Sequence, residues 1–421
     1  MAEPVGPLAG ALVELDIGPP AHGGSCVARH DGRVVFVRHA LPGERVRAIV
    51  TEDRGGGFCR ADAVEILTAS ADRVPPPCPY AGPGRCGGCD WQHASGSAQR
   101  ALKADVVIEQ FRRIAGLDVR GLLAGVEELP GGLLGWRTRV TYAVDADGRP
   151  GLHRHRSAGV ERIDRCLIGA AGVGDAAALS DHWPGLTGVE VDRGSDGTIT
   201  LLAHRPGSGR HARGRRPQDR ISVLAGPPKL QRELRGRVFE VTAGGFWQAH
   251  PAAAEALVGA LLDATRPVTG DRVLELYAGA GAFTSVLADA VGPTGAVLGL
   301  EGAAAAVADA GTNLADQPWA SVQQARVTAE SVARPLDEPD VVVLDPPRAG
   351  AGRDVMRAIL GLRPRTVGYV SCDPATLARD VAVAVEAGWR LTTLRAFDAF
   401  PMTQHVECVA GLHPDTGSTA P

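Results

Sequence analysis

Residues 272–283 read RVLELYAGAGAF. An apolar run of strand length meets a glycine turn, Gly279-Ala280-Gly281, and the chain goes on as TSVLADAV with helical spacing. Such a turn lets the backbone approach a nucleotide-like ligand at the carboxyl end of a buried strand. A second apolar run, AVLGLE (296–301), ends in Glu301 about 20 residues on, where a carboxylate suits a ribose diol. The third glycine of a dinucleotide fingerprint is absent, because Ala282 and Phe283 follow Gly281. That pattern suits S-adenosylmethionine, which has a ribose and no phosphates, better than a nicotinamide dinucleotide.

Outward from this turn, strands and helices alternate. A helix rich in Ala and Leu (252–264) precedes it. DVVVLDPP (340–347), a helix near 353–361, TVGYVSC (366–372), TLARDVAVAVEAG, LTTLRAFDAF and VECVAGL follow. The pattern predicts an α/β fold, a parallel doubly wound sheet of Rossmann-like type over 238–412. Residues 10–67 alternate short apolar runs with Gly/Pro turns, which predicts a small OB-like β-barrel over 1–70. Between them, 71–237 reads as a mixed α+β central domain. It carries a cysteine cluster, a helix over 97–116 started by Ser97 and ended by Gly116, and the Arg/Gly/Pro stretch 204–220, read as an exposed loop. Residues 413–421 read as a disordered tail.

The chain has 421 residues, enough for two or three domains. Lysine occurs only at Lys103 and Lys229, so arginine carries nearly all the positive charge. The net charge of −4 excludes a global nucleic-acid signature. RNA contact must then be local: the barrel, the 204–220 loop, Arg112, Arg113 and Arg137. There is no basic-then-apolar leader and no run of about 18 apolar residues. A cytoplasmic monomer without membrane contact is expected, and in that compartment cysteines serve as ligands, nucleophiles or core residues.

Several residues carry chemistry. Asp345 ends a strand, where such sheets bind ligands. Arg348, after Pro346-Pro347, offers forked donors to a carbonyl or phosphate, which favours a carbonyl-bearing ring over an exocyclic amine. Cys372 ends the next strand in YVSCDPATLARD, where a thiolate would be a strong nucleophile if its pKa were lowered. Glu407 lies in the apolar run VECVAGL, where burial would make it a usable base, while Cys408 faces the core by alternation. Carbon 5 of uracil becomes nucleophilic once a thiolate adds to carbon 6, and a base must then remove the proton at carbon 5. Cys372, Glu407 and Arg348 fill those places. Gln248, in FWQAH, is a candidate for holding the ring or the cofactor, and Asp345 for the imide N–H or the cofactor. Cys78, Cys86 and Cys89 in CPYAGPGRCGGCDWQH, with Cys166 as a fourth ligand, fit zinc or an iron–sulfur cluster, and the spacing does not choose between them. Cys26 and Cys59 read as core.

These motifs, in this order, resemble the class I S-adenosylmethionine-dependent RNA uracil-5-methyltransferases that carry a TRAM domain. The resemblance rests on Leu41-Pro42-Gly43-Glu44, the cysteine segment, FWQAH, ELYAGAGAF, LDPPRAG, YVSCDPATLARD and FPMTQHVE. It implies an RNA-binding TRAM barrel and a [4Fe-4S] cluster on Cys78, Cys86, Cys89 and Cys166. It also implies Cys372 as nucleophile, Glu407 as base, and cofactor contacts by Gln248, Tyr277, Glu301 and Asp345, with Gly279, Gly281 and Ala282 in the binding turn. The family often has Asn where Ala282, Asp373 and His250 stand, often His where Met402 stands, and a shorter first cysteine spacing. For the adenine, Glu330 is a candidate. Family analogy ranks 23S ribosomal RNA first as substrate and tRNA second. A noncatalytic RNA-binding protein on this fold is the rival from another class, and loss of Cys372 or Glu407 would favour it. Both are present.

Overall fold

The computed structural model describes residues 8–207, 219–333 and 338–415. Near the N-terminus, LVELD (Leu12–Asp16) buries every second side chain, and Arg45–Asp53 follows the same rhythm. With Pro20–Ala21, Ser25–His30, Arg33–Arg38 and Phe58–Thr68 these strands form one six-stranded sheet. Its first and third strands approach each other around a core that includes Leu15, Val37, Val46 and Val50. Cys26 and Cys59 are buried in that core.

A second six-stranded sheet is antiparallel throughout, with Arg139–Val144 and Gly188–Arg193 at its centre. Ile199–Arg205 and Arg220–Ala225 pair at one edge. They flank the Arg-rich stretch, of which 208–218 lie outside the described residues, as do 416–421 of the tail. The hairpin of Lys229–Leu234 and Arg237–Thr242 leads into the last sheet.

That sheet has eight strands, in the order Ala320–Gln324, Ala296–Glu301, Arg272–Leu276, Val341–Leu344, Thr366–Ser371, Glu407–Pro414, Trp389–Asp398 and Val126–Glu128. The first five are mutually parallel. Glu407–Pro414 is antiparallel to both its neighbours, which corrects the all-parallel expectation. The cause is connection length: residues 399–406 are too few for a crossover of a dozen or more residues, so the chain returns as a hairpin. Successive strand residues feed opposite faces. Leu274, Leu276, Val342 and Leu344 join one core, while Val273, Val341 and Val343 join the other.

The helix Gly96–Gln110 packs on the first of these faces, with Val107 beside Leu377 and Val381 in one cluster. Residues 96–128 thus extend the C-terminal sheet. Ser95, not Ser97, caps this helix, its hydroxyl accepting the Ala98 amide at 3.3 Å. Ser97 lies inside the first turn. Gly116 closes the following π-turn with φ +67°, as a left-handed residue must. Among the described residues no helix is long and apolar enough to cross a membrane.

Candidate active site

The strand Arg272–Leu276 ends in a turn where Tyr277, Gly279 and Gly281 all have positive φ. The two glycines serve different ends. A Cβ on Gly281 would press on the Ala310 Cβ at 3.2 Å, so this glycine lets the helix pack, whereas a Cβ on Gly279 would meet nothing within 4 Å. Glu301 fixes the turn: its carboxylate accepts the Gly279 amide at 3.0 Å and the Ala303 amide at 2.7 Å.

Beyond Gly279 opens a cavity whose lining includes Phe246, Trp247, Gln248, Glu275, Tyr277, Ala282, Phe283 and Asp345. Gln248, Tyr277, Gly279, Ala282 and Asp345 of the expected residues meet here. Glu301 acts from behind the turn, and Glu330 is exposed on a short helix, Ala329–Val332. Phe246, Trp247 and Glu275 were missed by the sequence reading. For Glu275 a signal existed, a carboxylate inside the apolar run VLEL. It is buried and accepts the Thr284 hydroxyl. Burial pushes its pKa up to about 8, against the Thr284 hydrogen bond and with help from Asp345 and Glu301. Asp345 is half-buried in the cavity wall, and burial alone pushes it up to about 7.

The second half of the site lies at three neighbouring strand ends. Leu344 pairs with Tyr369 and Ser371 with Cys408. Continuing this register sets Cys372 opposite Glu407, while Asp345 falls in line with Val370, two residues before Cys372 on the neighbouring strand. The Cys372 thiol is pushed up to about 12, first by burial and then by Glu407, with Asp345 and Asp373 adding to it and Arg348 opposing. The sequence reading asked for a lowered thiol, and burial, with the carboxylates around it adding, produces the reverse. Glu407 is buried and raised well above the usual carboxylate range, by burial and then by Asp345, again against Arg348. Arg348 lies 3.3 Å from the His405 ring, which burial and that guanidinium push down to about 4.

Other parts of the chain hold this constellation. Asp373 caps the helix Pro374–Glu386 through the Ala375 and Thr376 amides, and its second oxygen meets His22 of the N-terminal sheet at 3.1 Å. The loop leading to Glu407 is clamped at Met402, whose carbonyl accepts the Asp90 and Trp91 amides at 3.0 Å each. Gln99 accepts the Met402 amide at 2.8 Å, and buried Lys103 donates to the Phe400 carbonyl at 3.0 Å. Gly23 donates to Gln404 at 3.2 Å.

Cys78, Cys86, Cys89 and Cys166 line one further cavity, with Tyr80, Gln92, Leu152, Ile163 and Ile168 among its walls. A Cβ on Gly87 would strike the His155 backbone nitrogen at 2.6 Å, which explains the glycine after Cys86. Burial raises the Cys86 and Cys166 thiols, and burial likewise raises Cys89. Among the described residues, no three His, Cys, Asp or Glu side chains converge as ligands of a single metal ion. Arg137 is half-buried, lines this cavity and donates through Nε to the Arg139 carbonyl at 3.0 Å. Arg112 and Arg113 are exposed, and Arg112 pairs with Glu109.

The sequence model of tRNA (uracil-5-)-methyltransferases matches residues 228–340 and 336–413, and that of the TRAM domain matches 8–64. An RNA methyltransferase of Streptomyces coelicolor is 48% identical over 98% of this chain and 95% of its own length. A 23S rRNA (uracil(1939)-C(5))-methyltransferase of Alkalilimnicola ehrlichii is 32% identical, over 94% of this chain and 95% of its own. The chain belongs to the TRAM-domain RNA uracil-5-methyltransferase family. It is an S-adenosylmethionine-dependent RNA (uracil-5-)-methyltransferase. The fold agrees: the crystal structure of Pyrococcus abyssi tRNA (uracil-54, C5)-methyltransferase in complex with S-adenosyl-L-homocysteine superposes with a TM-score of 0.68, at 21% identity, covering 95% of this chain and all of that one. In this methyltransferase the TRAM barrel therefore reaches the strand-end site directly, through His22 and Gly23.

Proposed function

We propose that this methyltransferase modifies carbon 5 of a uridine in 23S ribosomal RNA, with Cys372 bonding to carbon 6 and Glu407 removing the proton from carbon 5. One observation carries the mechanism: Cys372 and Glu407 face each other across an antiparallel pair of strand ends, with Arg348 acting on both. The Alkalilimnicola relative supports the ribosomal substrate. The family's description, and the substrate of the Pyrococcus enzyme, support tRNA as the second reading.

The raised thiol and the raised carboxylate fit one cycle. Two adjacent negative charges are disfavoured here, so Glu407 stays protonated while the Cys372 thiolate forms, and Arg348 offsets that one charge. When sulfur bonds to carbon 6, the negative charge moves onto the ring oxygen, where Arg348 can hydrogen-bond it. With the thiolate discharged, Glu407 loses its proton to solvent. S-adenosylmethionine supplies the electrophilic methyl group. The Glu407 carboxylate then takes the proton from carbon 5, and the carbon–sulfur bond breaks with its electron pair returning to Cys372. Gln248, Tyr277, Gly279, Gly281, Ala282, Glu301 and Asp345 are the residues proposed to hold or shape the cofactor site. The target base must leave its stack to reach the strand ends.

Four soft thiolates around one cavity suit a [4Fe-4S] cluster, and we assign Cys78, Cys86, Cys89 and Cys166 to it as a structural staple. Zinc is the alternative, but it requires four ligands about one point at roughly 2.3 Å each.

RNA containing 5-fluorouridine tests the chemistry. Fluorine at carbon 5 cannot leave as a proton, so wild-type protein with S-adenosylmethionine should form a denaturation-resistant adduct and Cys372→Ala should not. Sequencing the trapped RNA chooses between 23S fragments and tRNA. Absence of an adduct with both RNAs, in protein that binds cofactor, overturns the proposal.

A further inference from the structure

The cofactor cavity carries an unusual charge pattern. Glu275 and Asp345 both line it, and among the described residues that do so, none is cationic. The two carboxylates end or cross neighbouring strands, since Glu275 pairs with Val343 and Asp345 follows Leu344. The remaining walls are aromatic or small, from Phe246, Trp247 and Tyr277 to Ala278, Ala280 and Ala282. Such walls give little screening, and a cation entering them gains from every nearby negative charge.

The cofactor changes charge during turnover. The methyl group leaves sulfur, the electron pair of that bond returns to sulfur, and the sulfonium becomes a neutral thioether. We propose that Glu275 and Asp345, both lining this cavity, together retain about one proton more when it contains the thioether product than when it contains the sulfonium donor, and release that proton to solvent when the donor binds. Preference for donor over product then rises with pH. This rests on the S-adenosylmethionine site and is independent of which RNA is methylated.

The surroundings leave the pair in this role. Glu301, on the next strand, already accepts two backbone amides. Tyr277 is raised by burial and stays neutral. Glu407 lies beyond Asp345, and Arg348 opposes the raised values of Glu407 and Cys372. The Thr284 hydroxyl donates to Glu275 and favours its ionised form. Burial sets both groups near neutrality, Asp345 at about 7 and Glu275 at about 8. The sign follows: a bound cation favours the ionised pair, so donor affinity rises with pH across that window, while product affinity does not.

Calorimetry on the full-length protein without RNA is the test. S-adenosylmethionine and S-adenosylhomocysteine are titrated from pH 6 to 8.5 in two buffers of different ionisation enthalpy. Both ligands carry the same amino-acid group, so its titration largely cancels in the difference. Near pH 6.5 the donor should release close to one proton more than the product. The donor-to-product affinity ratio should climb by up to about tenfold per pH unit below pH 7 and level off above 8. Glu275→Gln should flatten the climb. Thr284→Val, which removes the hydrogen bond favouring ionisation, should move it to higher pH. Equal proton counts for the two ligands in wild-type protein overturn the proposal, as does an unchanged slope in a folded Glu275→Gln variant. Failure of the 5-fluorouridine experiment would leave this result untouched.

Discussion

Two sets of cysteines in this molecule sit in different electrostatic settings. Cys372 stands among Glu407, Asp345 and Asp373, with the Arg348 guanidinium opposing them. Cys86 and Cys166 are raised first by burial, and then partly by their fellow thiols, while Arg137 and the Gly169 and Ile168 amides draw Cys166 down. The first setting resists a standing negative charge and tolerates a passing one. The second gathers thiols that only a bound cation would keep ionised together. Burial alone therefore does not distinguish a nucleophile from a ligand. What distinguishes them is whether neighbouring carboxylates make the charge move or neighbouring thiols require it to be neutralised.

The sharpest way to break this contrast is to exchange the expected losses. Cys372→Ala should reduce turnover by about 10⁴-fold or more, with cofactor affinity and Tm close to wild type. With the proposed cluster in place, Cys86→Ala should lose it, and Tm should fall by about 5–10 °C. Metal analysis and thermal unfolding of the two variants side by side decide it. A Cys86→Ala protein with wild-type Tm would remove the structural role from the cavity.

A smaller effect is expected from Arg348. Burial is the main cause of the raised Cys372 thiol, with Glu407 second, and Arg348 is the group pulling it down. Arg348→Gln should push the thiol further up, so less thiolate exists at any given pH. The rising limb of the pH–rate profile should then move to higher pH by about one unit, a loss near neutrality of about tenfold. If the profile stays in place while KM rises, Arg348 binds substrate and does not tune the thiol.

Much of this was legible beforehand, and the gaps have physical causes. The buried strands of the last sheet show as continuous apolar runs, but such runs carry no direction. VECVAGL therefore looked parallel until the short connection 399–406 was seen to force a hairpin. Ser95 and Ser97 are equally good caps by residue type, and only backbone geometry selects Ser95. Glu275 carried the same signal as Glu407, a carboxylate inside an apolar run, but only the cavity at the end of its strand gives it a place in the site. Asp345, Cys372 and Glu407 were each recognisable, yet the raised thiol depends first on burial and then on the Glu407 charge beside it, and neither shows in a linear motif.

The smallest expected effect lies where the TRAM barrel meets the strand-end site. His22 contacts one Asp373 oxygen at 3.1 Å, while the other oxygen caps the helix after Cys372. His22→Ala therefore leaves the cap in place and removes only a part-exposed pair, an interaction of modest strength. Gly23 and Gln404 still join the two parts. Turnover on saturating RNA should stay within about twofold, while KM for RNA should rise about two- to fivefold, because the barrel loses one of its anchors to the site it serves. A KM unchanged by the substitution would make the contact mere packing. A kcat loss approaching that of Cys372→Ala would mean that the barrel helps shape the strand end that carries Cys372, and the division between an RNA-holding region and a reacting region would fail at that residue.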